Sequence, residues 1–153
     1  MFEKRDRFSV GSGGNLIDQQ PHSTALQNVS IIVVDDDDDA RELMATVLAN
    51  AGARVTTADS VRTALEALSK EQAAVIVSDI GMPLEDGYDL IRRVREGSVS
   101  KALSGIPAVA VTAFASAKDR QKALNAGFQE HVAKPFDAQR LVQLVSRLAC
   151  QRA

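Results

Sequence analysis

The sequence predicts an α/β protein, a doubly wound five-stranded parallel sheet with five helices. Three observations point there. From Val29 onward, short β-branched apolar runs alternate strictly with stretches of helical periodicity. Three of the runs, Ile31-Ile32-Val33-Val34, Ala74-Val75-Ile76-Val77 and Ala108-Val109-Ala110-Val111, are apolar throughout, as strands covered on both faces must be. The chain has 153 residues, enough for one buried core and too few for a sizeable second domain beside it.

Each element has its own signal. The first strand is Ile31-Ile32-Val33-Val34. The helix after it carries Ala40, Leu43, Met44, Val47 and Leu48 on one stripe at spacings of three and four, and Gly52 stands where a C-terminal cap is expected. Arg54-Val55-Thr56-Thr57 is a weaker strand. Asp59 or Ser60 caps a helix striped by Val61, Ala64, Leu65 and Leu68. The third strand ends at Ser78-Asp79. A helix from Gly87 to Glu96 points Leu90, Ile91 and Val94 inward and is closed by Gly97. Pro107 opens the fourth strand, which ends at Thr112, and a helix from about Ser116 to Ala126 is closed by Gly127. His131-Val132-Ala133 is a short last strand. Asp137 then caps a helix striped by Leu141, Leu144, Val145 and Leu148.

Strict β–α alternation puts helices on both faces of a parallel sheet. Five strands in one domain favour the flavodoxin-like order 2-1-3-4-5, in which ligands bind beyond the carboxyl ends of the strands. The folded unit spans 29–150. Residues 1–28 read as a flexible extension or linker, because Gly11, Ser12, Gly13 and Gly14 are followed by Gln19, Gln20, Pro21 and His22 without apolar periodicity.

Composition narrows the function. Hydrophobic residues at 45% and charged residues at 25% describe an ordinary globular chain. A net charge of −2 supplies no basic field, so no nucleic-acid partner is expected. Cys150 is the one cysteine and cannot form an internal disulfide. The charged start Met1 to Phe8 does not read as a secretory signal, and no run approaches the roughly 20 apolar residues of a membrane span, so no membrane association and a cytoplasmic location are expected.

The strand ends carry Asp35-Asp36, Asp79, Thr112 and Lys134. Clustered carboxylates repel one another unless a cation intervenes. A hard divalent ion such as Mg2+ uses one or two carboxylates plus water and phosphate oxygens. A lysine and a hydroxyl beside it complete the parts that neutralise a phosphoryl group in transfer, and an aspartate can itself be the nucleophile. An EF-hand reading of Asp35-x-Asp37-x-Asp39 fails, since the sixth position is Ala40 and the twelfth Thr46. A haloacid-dehalogenase-type phosphatase fits poorly with Asp39 in the fifth position.

Val33-Val34-Asp35-Asp36, Asp79-Ile80-Gly81-Met82-Pro83, Val111-Thr112-Ala113 and Lys134-Pro135-Phe136 together resemble the response-regulator receiver family of two-component signalling, over about Val29 to Ala149. The resemblance implies that Asp79 is the phosphoacceptor. It implies Mg2+ ligation by Asp36 and Asp79, with Asp35 close or through water and the Gly81 backbone carbonyl completing the protein ligands. Lys134 and Thr112 would each meet a phosphoryl oxygen, the Ala113 amide a third, and Lys134-Pro135 would be cis. His131 stands where the family often has Tyr or Phe and is a candidate switch residue; Gly81 and Phe114 are tuning positions. Phosphoryl transfer from a sensor histidine kinase or histidine phosphotransfer protein follows, with catalysis limited to the domain's own acyl phosphate. Homodimerisation stays open. A constitutive interaction module that keeps the fold without phosphorylation is the rival reading. Asp37 to Asp39 read as helix capping and surface charge, and Arg92, Arg93 and Arg95 as solvated surface charge.

Overall fold

The computed structural model describes residues 24–114 and 116–152. Its elements alternate as expected: β1 (Ser30–Val34), α1 (Asp38–Asn50), β2 (Arg54–Ala58), α2 (Val61–Lys70), β3 (Val75–Asp79), α3 (Gly87–Arg95), β4 (Ala108–Thr112), α4 (Ala117–Ala126), β5 (Glu130–Ala133) and α5 (Ala138–Arg152). All pairings are parallel, in the order β2-β1-β3-β4-β5.

Successive residues of a strand point to opposite faces, and here they feed two separate cores. Ile32, Val34, Ile76, Ala108 and Ala110 pack with Leu68 of α2, Leu90, Ile91 and Val94 of α3, and Ala123 of α4. Ile31, Val33, Val75, Val77, Val109 and Val111 pack with Met44 and Leu48 of α1 and Leu141, Val145 and Leu148 of α5. The all-apolar runs are therefore apolar because both faces of the sheet are covered.

Local chemistry ends the helices. Ser60, Asp86 and Ser116 each cap their helix, accepting from the backbone N–H three residues on, in reciprocal capping boxes. Gly127 closes α4 at φ +125°, a conformation that L side chains rarely adopt.

Three expectations need correction. Leu43 is 55% exposed, so the buried stripe of α1 is narrower than its periodicity suggested and rests on Met44 and Leu48. Asp37 occupies the N-cap of α1 but makes no side-chain cap. The folded unit also begins before residue 29: residues 25–28 form a turn, and Leu26 is fully buried. Its N–H donates to the Ala51 carbonyl at 2.9 Å, and its side chain joins the α1–α5 core. The rest of the proposed extension, residues 1–23, lies outside the described residues. No helix of the described residues is long and apolar enough to cross a membrane.

Candidate functional site at the carboxyl ends of the strands

Strand register brings the site together. Val34 pairs with Ser78, so Asp35 follows on directly beside Asp79. Asp79 pairs with Val111, and Thr112 with Ala133. The Lys134 N–H donates to the Thr112 carbonyl at 2.8 Å, which anchors the lysine one residue past the end of β5. The following Lys134-Pro135 bond is cis.

Asp35 is fully buried, Asp79 and Thr112 nearly so, and Asp36 is exposed. One carboxylate oxygen from each of Asp35, Asp36 and Asp79 lies within 4.8 Å of the others. Lys134 Nζ donates to Asp35 Oδ2 at 2.9 Å and forms an ion pair with Asp79 Oδ1 at 3.4 Å. Burial pushes the Asp79 carboxyl above its ordinary range, and the neighbouring charge of Asp35 pushes the same way; Lys134 offsets only part of this. Burial works against the charge on Lys134, yet its hydrogen bond to Asp35 and the charges of Asp79 and Asp35 prevail, so the ammonium is held more firmly than in water. The excess of negative charge, three carboxylates against one lysine, suits a hard cation with oxygen ligands. The donor set, one carboxylate oxygen from each of Asp35, Asp36 and Asp79, thus fits Mg2+.

Backbone packing fixes Asp79. The Ser78 hydroxyl donates to the Asp79 carbonyl at 2.7 Å. The Gly87 N–H donates to the Ile80 carbonyl at 2.9 Å. A Cβ at Gly87 would stand 2.5 Å from the Asp79 carbonyl oxygen, so α3 can start this close only with glycine there. Gly81 is exposed, and a Cβ on it would meet the Phe114 ring at 3.9 Å; the two tuning positions face each other across the site.

Thr112 Oγ1 accepts from the Phe114 N–H at 3.1 Å, and Ala113 is exposed at the rim. His131 is half-buried, and its Nε2 lies 3.1 Å from the Phe114 carbonyl oxygen. The candidate switch residue is therefore tied to the loop that carries Thr112. Two residues that sequence reasoning passed over belong here. Ser78 braces the Asp79 backbone, and its place before Asp79 was the available signal. Arg41 donates from Nη1 to the Asp35 carbonyl at 2.9 Å, a contact with a backbone atom that leaves no trace in a motif. Of the arginines of α3, Arg92 and Arg93 are exposed surface charge, paired with Asp89 and Glu85, whereas Arg95 is half-buried and donates to the carbonyls of Gly127 and Ser104.

Residues 31–146 match the response regulator receiver domain model, and the chain belongs to that family of two-component phosphoacceptor modules. Among curated relatives it is 43% identical over 122 residues to an uncharacterized 14.6 kDa protein from the sodA1 3′ region of Leptolyngbya boryana, covering 80% of this chain and 91% of that one. It is 33% identical over 119 residues to the transcriptional regulatory protein GltR of Pseudomonas aeruginosa, covering 78% of this chain but only 48% of GltR. Among solved structures, the receiver domain of the sensor histidine kinase PA1611 from the same species superposes with a TM-score of 0.72 at 27% identity, covering 80% of this chain and 98% of that one; it holds a magnesium ion in its active-site cleft.

Proposed function

We propose that this chain is a phosphorylation switch in which Asp79 accepts a phosphoryl group from the phosphohistidine of a sensor histidine kinase or histidine phosphotransfer protein. The observation that carries this reading is the buried Asp79 carboxylate, set among Asp35, Asp36 and Lys134 with its charge only partly compensated. Such a carboxylate gains from any arrangement that adds positive charge beside it. In the transfer, an Asp79 oxygen bonds to phosphorus while the phosphorus–nitrogen bond breaks, and its electron pair returns to the imidazole, which takes up a proton.

The chain's own residues divide the work. Lys134 turns from its carboxylate partners to one phosphoryl oxygen. Thr112 gives up the Phe114 N–H and donates its hydroxyl to a second oxygen, and the Ala113 amide meets a third. Asp36 and Asp79 would hold Mg2+, with Asp35 close by or acting through water and the Gly81 carbonyl completing the protein ligands. Bound there, the ion supplies charge neutralisation for the carboxylates and the phosphoryl oxygens. The PA1611 receiver's magnesium supports this assignment by likeness. His131 follows the loop, because its Nε2 is bonded to the Phe114 carbonyl. The surface of α4, β5 and α5 then changes its preference for a downstream partner or a second copy, a shift between two preexisting states. Catalysis is confined to forming and hydrolysing the chain's own acyl phosphate, and the setting is the cytoplasm.

Intact mass after incubation with Mg2+ and acetyl phosphate tests the reading. Wild type gains about 80 Da, the mass of one phosphoryl group. Asp79→Asn gains nothing, and neither protein gains mass in EDTA. An equal gain in the Asp79→Asn variant would place the chemistry elsewhere and overturn the assignment.

A further inference from the structure

We propose that Arg41 is a positioning residue for the cation site, holding the β1–α1 turn so that Asp36 faces Asp79; this rests on reading the carboxylate cluster as a Mg2+ site. Four polar atoms of Asp35 are all engaged. Its N–H donates to the Ala58 carbonyl at 3.1 Å, Oδ1 accepts from the Asp37 N–H at 2.9 Å, Oδ2 accepts from Lys134 at 2.9 Å, and its carbonyl accepts from Arg41 Nη1 at 2.9 Å. The other arm of the same guanidinium, Nη2, reaches Asp38 Oδ1 at 2.6 Å. One planar group thus spans from the end of β1 to the first turn of α1. Asp36 lies in sequence between its two anchors.

Two further facts give Arg41 this task. Asp37 at the N-cap makes no side-chain cap, so the start of α1 lacks the usual device that sets its angle of entry. The Arg41 side chain is only 20% exposed, although Asp36 to Asp39 around it are all exposed. A guanidinium suits the role because its donors diverge in a rigid fork and it stays charged at any working pH. Lysine would keep the charge and lose the fork.

Charge and position make opposite predictions for metal affinity. As a charge alone, Arg41 repels a cation bound nearby, and removing it would tighten binding. As a brace, removing it lets the Asp36 turn wander and weakens binding. Calorimetric titration of the full chain with Mg2+, on wild type, Arg41→Lys, Arg41→Gln and Arg41→Ala, separates the two. Melting curves in EDTA run alongside and read any purely structural loss. The expected result is a Kd raised roughly tenfold in all three variants, in the range seen when outer partners of metal ligands are removed. Lys and Gln variants that melt near wild type carry the test if the alanine variant unfolds. Unchanged affinity, or tighter binding in the Gln and Ala variants, overturns the proposal even if every variant melts lower. No Mg2+ binding by wild type would overturn the cation-site reading itself, and this inference with it.

Discussion

The two ends of the sheet are built from opposite materials. At the amino ends, a buried apolar side chain precedes each of the five strands: Leu26 before β1, Ala51 before β2, Ala73 before β3, Ile106 before β4 and Phe128 before β5. At the carboxyl ends stand Asp35, Ser78, Asp79 and Thr112, the buried polar and charged side chains among the described residues. The same strands thus begin in hydrocarbon and finish in charge. Apolar burial stabilises the fold at one end. At the other, carboxylates are held close together against their mutual repulsion, which costs stability and creates a place for cation and phosphoryl chemistry.

Substitutions at the two ends should therefore separate stability from chemistry. Leu26→Ala removes a fully buried side chain from the α1–α5 core, and urea unfolding should show a loss of about 3 kcal/mol. Its mass gain from acetyl phosphate should match wild type wherever the variant is folded. A loss of phosphorylation in folded Leu26→Ala would break the contrast. Gly87→Ala should cost about 2 kcal/mol, because its Cβ would push against the Asp79 carbonyl. Here phosphorylation should slow as well, since the displaced backbone is that of Asp79.

The pH dependence follows from Asp79. Its folded-state carboxyl titrates above its unfolded range, so the folded state binds more protons across that window. Stability of the metal-free protein should accordingly fall as pH rises from about 4 through the raised value. The difference between wild type and Asp79→Asn isolates this group, and it should widen with pH in favour of the variant. A difference independent of pH would remove Asp79 as its source.

The smallest effect is at Leu84, in the loop between β3 and α3. It holds φ +69° with its side chain wholly in solvent. Leu84→Gly relieves the left-handed conformation, partly offset by glycine's freer unfolded chain, and should raise stability by up to about 1 kcal/mol. A loss of stability would mean that the leucine makes contacts this structure does not hold.

Much of this was legible in the sequence, for physical reasons. Strands buried on both faces must be apolar at every position, so their ends were marked by the first polar residue: Asp35, Ser78-Asp79, Thr112. Parallel strands then bring those ends to one rim, and the cluster of three carboxylates and a lysine followed from topology alone. Contacts made through the backbone were not legible. Leu26 is one apolar residue in a polar stretch, with no period to betray that it closes the core. Leu43 fits the stripe of α1, but the helix meets the sheet along a narrower line. Arg41 acts on a carbonyl, which every residue has. Gly87 shows in the sequence only as the start of a helix; its constraint, the approach of the Asp79 backbone, needs coordinates.

The most direct test of the contrast between the two ends is urea unfolding of wild type and Asp79→Asn, each in EDTA and in Mg2+ at about pH 8, where an unfolded carboxyl is fully ionised. In EDTA the variant should be the more stable, because it sheds a buried, repelled charge while Lys134 keeps Asp35. In Mg2+ wild type should gain more than the variant and close the gap. A variant less stable than wild type in EDTA, or an equal gain from Mg2+ in both, would contradict the claim that charge at the carboxyl end is held at the expense of stability.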